Sequence, residues 1–152
     1  MKHVIVLALL ALAACATSAP SEPAGLPMSD ARDCAVFTTV LRDHYRVDES
    51  TPYRLQRGNT ASDDATYLIT CDFAAAGIVV RDYDYARING PGRENFQSWL
   101  QLSKPEYPTP DKAIVAAGSL LGPLAGSGVR CFLDRSARNA WTLARCEQAW
   151  VS

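Results

Sequence analysis

The sequence predicts an α+β fold: an N-terminal helix packed on an antiparallel sheet of about five or six strands, ending in a β-hairpin and held by two disulfides. Three observations predict it. Helical periodicity is clear once, shortly after residue 28. Period-two stretches then follow one another without alternating helices, which argues against a parallel α/β sheet. Five cysteines divide into one at the end of an apolar leader and four in the body of the chain. With 152 residues, 48% hydrophobic and 20% charged, the chain suits a single globular domain and is too apolar for a disordered one. A net charge of −1 gives no basic footprint for nucleic acid.

The helix starts at Ser29, a capping residue type, with Asp30 and Asp33 in the first turn, where the helix dipole favours acids. Cys34, Phe37, Leu41 and Tyr45 recur at helical spacing, flanked by Val40 and His44. Arg42 and Arg46 suit the last turn, and Ser50-Thr51-Pro52 ends the element. Thr66 to Phe73 alternates, with Tyr67, Ile69, Cys71 and Phe73 on one side. Ile78 to Ile88 is a second strand candidate, followed by the turn Asn89-Gly90-Pro91-Gly92. Phe96 to Leu102 and Ala113 to Leu121 are further strands, separated by the proline-rich stretch Lys104 to Pro110. Val129 to Asp134 and Ala140 to Glu147 form the terminal hairpin. Alanine runs at 74–76 and 113–117 are compatible with helix as well.

The leader is read from its charge and its length. Lys2 and His3 precede an unbroken apolar run from Val4 to Ala14. That run is shorter than the roughly 20 residues a membrane span needs and fits a signal-peptide h-region. It ends in Leu12-Ala13-Ala14-Cys15, which resembles the lipobox of bacterial lipoproteins. The resemblance implies cleavage of residues 1–14, a diacylglyceryl thioether on Cys15 and an acylated amine, a palmitate-type membrane anchor. Ala16, rather than Asp, then implies sorting to the outer membrane with the domain facing the periplasm. The plainer alternative is a secretory signal cut after Ala14 or Ala16. Cleavage removes Lys2 and leaves a net charge of −2. Residues 15–27 are the lipidated cysteine and a tether, ATSAPSEPAGLP, too rich in proline and small residues to fold. At polyproline II spacing it reaches about 35 Å from the lipid. Residues 28–152 form the single domain.

Cys34, Cys71, Cys131 and Cys146 remain, an even number in an exported chain. Of the three connectivities, the geometry favours Cys34–Cys71 and Cys131–Cys146. The first joins the apolar stripe of the helix to the apolar side of the 66–73 segment. The second joins opposed hairpin positions around a turn at Arg138-Asn139, where cross-strand Cα separations of about 5 Å suit a disulfide. No cysteines are spaced CxxC and one histidine survives processing, so neither metal nor cofactor is expected.

Candidates for chemistry are few. His44 could act as a general base, but its place beside the apolar stripe also suits a packing histidine. Asp82 and Asp84 could form a carboxylate pair on one strand face, or simply its solvated side. Asp63-Asp64 falls in a polar loop stretch. Gly118 to Gly128, GSLLGPLAGSG, lacks the Lys-Ser/Thr of a phosphate loop and reads as a turn or bulge supplied with glycine. Trp99, Trp141, Trp150 and six tyrosines serve either a core or a ligand surface. From Leu102 onward, the SKPEY start, the AGSLLGPLAGSG run and the late Trp141 and Trp150 resemble C-terminal halves of uncharacterised proteobacterial envelope proteins. That resemblance implies location but no activity. The expectation is a lipid-anchored envelope protein with a non-catalytic binding or structural role, its partners the membrane through Cys15 and an envelope protein, peptidoglycan or lipopolysaccharide. The alternative is a small periplasmic hydrolase using His44 or the Asp82/Asp84 pair.

Overall fold

A computed structural model describes residues 27–47, 53–57, 67–83, 99–122 and 125–152. Cys15 with its leader, the tether to residue 26, Asp63-Asp64, Asp84 and the Asn89–Gly92 turn lie outside them.

Helix α1 spans Ala31–Asp43. Its cap is Asp30 rather than Ser29. The Asp30 carboxylate accepts the Asp33 N–H at 2.8 Å, and Asp33 returns the contact to the Asp30 N–H at 3.4 Å. Ser29 is spent elsewhere: its hydroxyl accepts the Thr70 N–H at 2.8 Å. His44 is the C-cap, and the Val47 N–H closes on the Leu41 carbonyl at 3.0 Å while Arg46 takes φ 51°. This left-handed step, in a position that favours glycine, turns the chain off the helix end.

The described strands are β1 (Tyr53–Gln56), β2 (Val80–Asp82), β3 (Trp99–Leu102), β4 (Glu106–Thr109), β5 (Lys112–Gly122), β6 (Ala125–Arg135) and β7 (Trp141–Val151). They form one sheet in the order β2-β1-β3-β5-β6-β7, with β4 also paired to β5. The expected all-antiparallel sheet is in fact mixed. β1 runs parallel to both β2 and β3, while β3 to β7 pair antiparallel. β4 arises inside the proline-rich stretch read as a separator. Pro108 offers no N–H to the ladder, and the β4–β5 register shifts between Glu106 and Thr109.

The 66–73 segment keeps its predicted alternation of burial but is not a strand. Tyr67, Ile69, Cys71 and Phe73 are buried, yet among the described residues the only ladder contact there is a bridge between Met28 and Leu68. The Leu68 N–H bonds Pro27 O and the Ile69 N–H bonds Arg57 O, so these groups find partners in other segments without a continuous ladder. The alanines resolve oppositely: Ala74–Ala76 is a 3-10 turn closed by Gly77 at φ 71°, and 113–117 lies in β5.

One face of the sheet packs on α1. Val36, Phe37, Val40 and Leu41 meet Leu55, Leu100, Val115 and Leu133, all at 0–1% exposure. Each such side chain stabilises the fold by about 1.5–3 kcal/mol. Both disulfides form as expected. Cys34–Cys71 pins α1 to the irregular segment with Cα atoms 5.3 Å apart, and Cys131–Cys146 joins opposed residues of β6 and β7.

Candidate functional site

The other face of the sheet carries the outward side chains of β1, β3, β5 and β6, and across it lies Trp150. Gly118 and Gly128 are partners in the β5–β6 ladder, and Trp150 of β7 is registered on Gly128. A Cβ on Gly128 would overlap the indole, and one on Gly126 would come within 3.1 Å of its ring carbons. The indole therefore rests on bare backbone, which only glycine leaves clear. Among the described residues the one glycine with positive φ is Gly77. So the role expected for the 118–128 glycines, conformational freedom in a turn, is corrected: 118, 126 and 128 lie within strands and supply close approach.

Beside the indole runs a groove of about 220 Å³. Trp150 walls it from the β7 side, and Ala116 and Gly118 form its floor. Gln101 and Gln56, registered partners on β3 and β1, close the far side, the Gln101 Nε2–H donating to Gln56 Oε1 at 2.5 Å. Ser103 stands at one end, its Oγ accepting the Ala116 N–H at 3.0 Å. None of the described lining residues is charged. Trp150 keeps 43% of its surface exposed.

The residues expected to carry chemistry are scattered. His44 is half-buried at the end of α1, edge-on to Tyr45 with ring centroids 4.7 Å apart. Its nitrogen and the sulfurs of Cys131 and Cys146 lie within 4.8 Å of one another, a grouping the sequence reading missed. The sulfurs are joined as a disulfide and present no thiolate. Desolvation lowers the His44 pKa, so the imidazole is held neutral. No carboxylate belongs to this grouping. Asp82 is exposed and paired with Arg57 at 2.5 Å. Arg57 also donates to the Ile69 and Cys71 carbonyls, so it is a clamp on the irregular segment. Trp141 is buried in the core, and Trp99 lies against Tyr83 with the rings tilted and their centroids 4.7 Å apart.

A second unforeseen cluster is buried. Asp33, 5% exposed, accepts the Tyr67 hydroxyl at 2.5 Å and the Tyr107 hydroxyl at 2.6 Å. Burial, then the bond to Asp33, raises both phenol pKa values, so both remain donors. Arg32 stacks over the Tyr107 ring, 3.6 Å from its centroid, and donates to the Pro110 carbonyl at 2.9 Å. The cluster ties the start of α1 to β4 and the 67–73 segment, and each carboxylate oxygen is occupied by a phenol. It is a structural knot closed to substrate.

No protein family matches this chain, and no curated protein or solved structure matches it either.

Proposed function

We propose that the chain is a lipid-anchored, non-catalytic binding module of the bacterial cell envelope, held in the outer membrane through Cys15 and facing the periplasm. The groove beside Trp150 carries this reading. It is concave, uncharged and rimmed by an exposed aromatic, which is the chemistry of recognition rather than of bond cleavage. The lipobox resemblance and the tether supply the anchor, and two disulfides agree with an oxidising compartment. The hydrolase alternative has less support: among the described residues the His44 grouping holds a disulfide and no acid, and Asp82 is an exposed partner of Arg57.

In-cell crosslinking tests the proposal. A photoreactive residue replacing Ala149, an exposed residue of the groove lining, in the full-length lipoprotein is expected to capture an envelope component. A photoreactive residue replacing Arg42, exposed on α1, is expected to capture far less. Equal capture from the two positions would overturn the assignment of the groove. His44→Ala is expected to leave cellular function intact; its loss with the fold preserved would instead favour the hydrolase.

A further inference from the structure

We infer that the groove beside Trp150 takes one sugar unit of an uncharged, N-acetylated glycan strand, the class of polymer found in the peptidoglycan layer. The inference rests on reading the chain as a binding module and adds the chemical class of its ligand.

The lining selects this class. A phosphorylated lipid headgroup calls for Lys or Arg, and none of the described lining residues is charged. An extended peptide is commonly held by backbone hydrogen bonds at a sheet edge. Here the groove floor is the middle of β5, whose backbone is engaged with β3 on one side and β6 on the other. What remains is an aromatic wall, a small-residue floor, an amide and a hydroxyl. An indole packs against the C–H face of a pyranose, apolar surface against apolar surface. A primary amide has two N–H donors and a carbonyl with two lone pairs. Gln101 gives one donor to Gln56. Among the described residues its other N–H and its carbonyl have no partner, and they match the C=O and N–H of an acetamido group.

Size and reach agree with the chemistry. The groove, about 220 Å³, is below the range of roughly 300–1,000 Å³ usual for enclosed small-molecule sites. One ring of a longer strand, its neighbours in solvent on either side, needs no more. Trp150 is also fixed before the ligand arrives, because the three glycines seat its ring, so little freedom is lost on binding. The proposed tether, with a reach of about 35 Å at polyproline II spacing, would let an anchored domain meet a polymer layer lying off the membrane.

Binding of the full-length lipoprotein in detergent to tetra-N-acetylchitotetraose, followed by tryptophan fluorescence, and its co-sedimentation with isolated sacculi test the inference. Saturable binding to the oligosaccharide, and competition of sacculus binding by it, are expected. Gly128→Ala, which evicts the indole without altering Trp150, and Gln101→Ala, at a groove wall outside the core, are each expected to weaken binding about tenfold or more. Thermal melting of each variant checks the fold, and Gln101→Ala keeps the test decisive if Gly128→Ala melts early. Wild-type protein that binds neither probe, or folded variants that bind as well as wild type, would overturn the glycan assignment. Position-149 crosslinks to an envelope protein or to lipopolysaccharide, with no glycan binding, would overturn the glycan class and leave the binding-module reading standing. Neither crosslink nor glycan binding would overturn both.

Discussion

Asp33 shows what one side chain can hold together and how little of that its sequence context reveals. In the sequence it is an acid in the first turn of a helix, favoured by the dipole. In the fold it also accepts two phenols, from residues 34 and 74 positions away. No periodicity reports such a convergence, because it depends on where two other segments come to rest. Tyr107→Phe would leave a buried carboxylate oxygen short of its donor and is expected to cost about 1.5–3 kcal/mol in urea unfolding. Titration behaviour follows from the same burial. Tyr45 is pushed up to about 12, first by desolvation and then by Tyr53, and Tyr67 and Tyr107 are raised as well. A raised phenol pKa means the folded state holds its proton longer than the unfolded one. Stability is therefore complete below the ordinary value of 10.0 and falls as pH rises through about 12. His44 acts at the other end. Its pKa is lowered from 6.5, so the unfolded chain takes up the proton first and stability falls as pH drops below 6.5. Chemical unfolding followed across pH is expected to show both slopes, with the acid slope reduced in His44→Gln.

At the scale of elements, legibility tracks length and pattern. The hairpin and the pairing of Cys131 with Cys146 were readable, but not the register at the turn: Arg135 pairs with Trp141, and an irregularity between Phe132 and Leu133 then brings Cys131 opposite Cys146. Asn139 takes φ 63°, which suits Asn in a turn. Helix α1 was readable from its stripe, apart from a one-residue shift of the cap. What could not be read was the parallel pairing of β1. It has four residues, one of them fully buried, and its partners on either side come from later in the chain. The alternation at 67–73 was real and its interpretation as a strand was not, since burial on one side against α1 produces the same pattern as a ladder. Replacing both Cys131 and Cys146 with Ser is expected to lower stability by about 3 kcal/mol, measured by denaturant unfolding, because the bridge closes a loop with a sequence separation of 15. Gly128→Ala acts on another pair, displacing Trp150 from β6. Its near-UV circular dichroism is expected to lose the Trp150 contribution, leaving those of Trp99 and Trp141, while the far-UV spectrum stays close to wild type.

Over the whole molecule the proposed reading divides the sequence into address, tether and domain, and the sheet of the described domain divides again by face. One face of the sheet is spent on α1 and the core. The other presents Trp150, two glutamines and a serine around a neutral groove. The glycines that make this possible were visible as a cluster, but their purpose was not, because Trp150 reaches them from the last strand across the β6–β7 ladder. None of the described helices is long and apolar enough to cross a membrane, so the proposed membrane attachment rests on Cys15. Cys15→Ala is expected to move the domain from the membrane fraction to the soluble fraction; continued sedimentation with the outer membrane would contradict lipid anchoring. The central claim, that the Trp150 groove is where the proposed anchored domain meets its partner, is tested most directly by quantitative in-cell crosslinking from position 149 in the otherwise wild-type chain and in Gly128→Ala. Capture is expected to fall to background in the Gly128→Ala protein while its amount and membrane fraction stay unchanged. Equal capture from both proteins would contradict the claim.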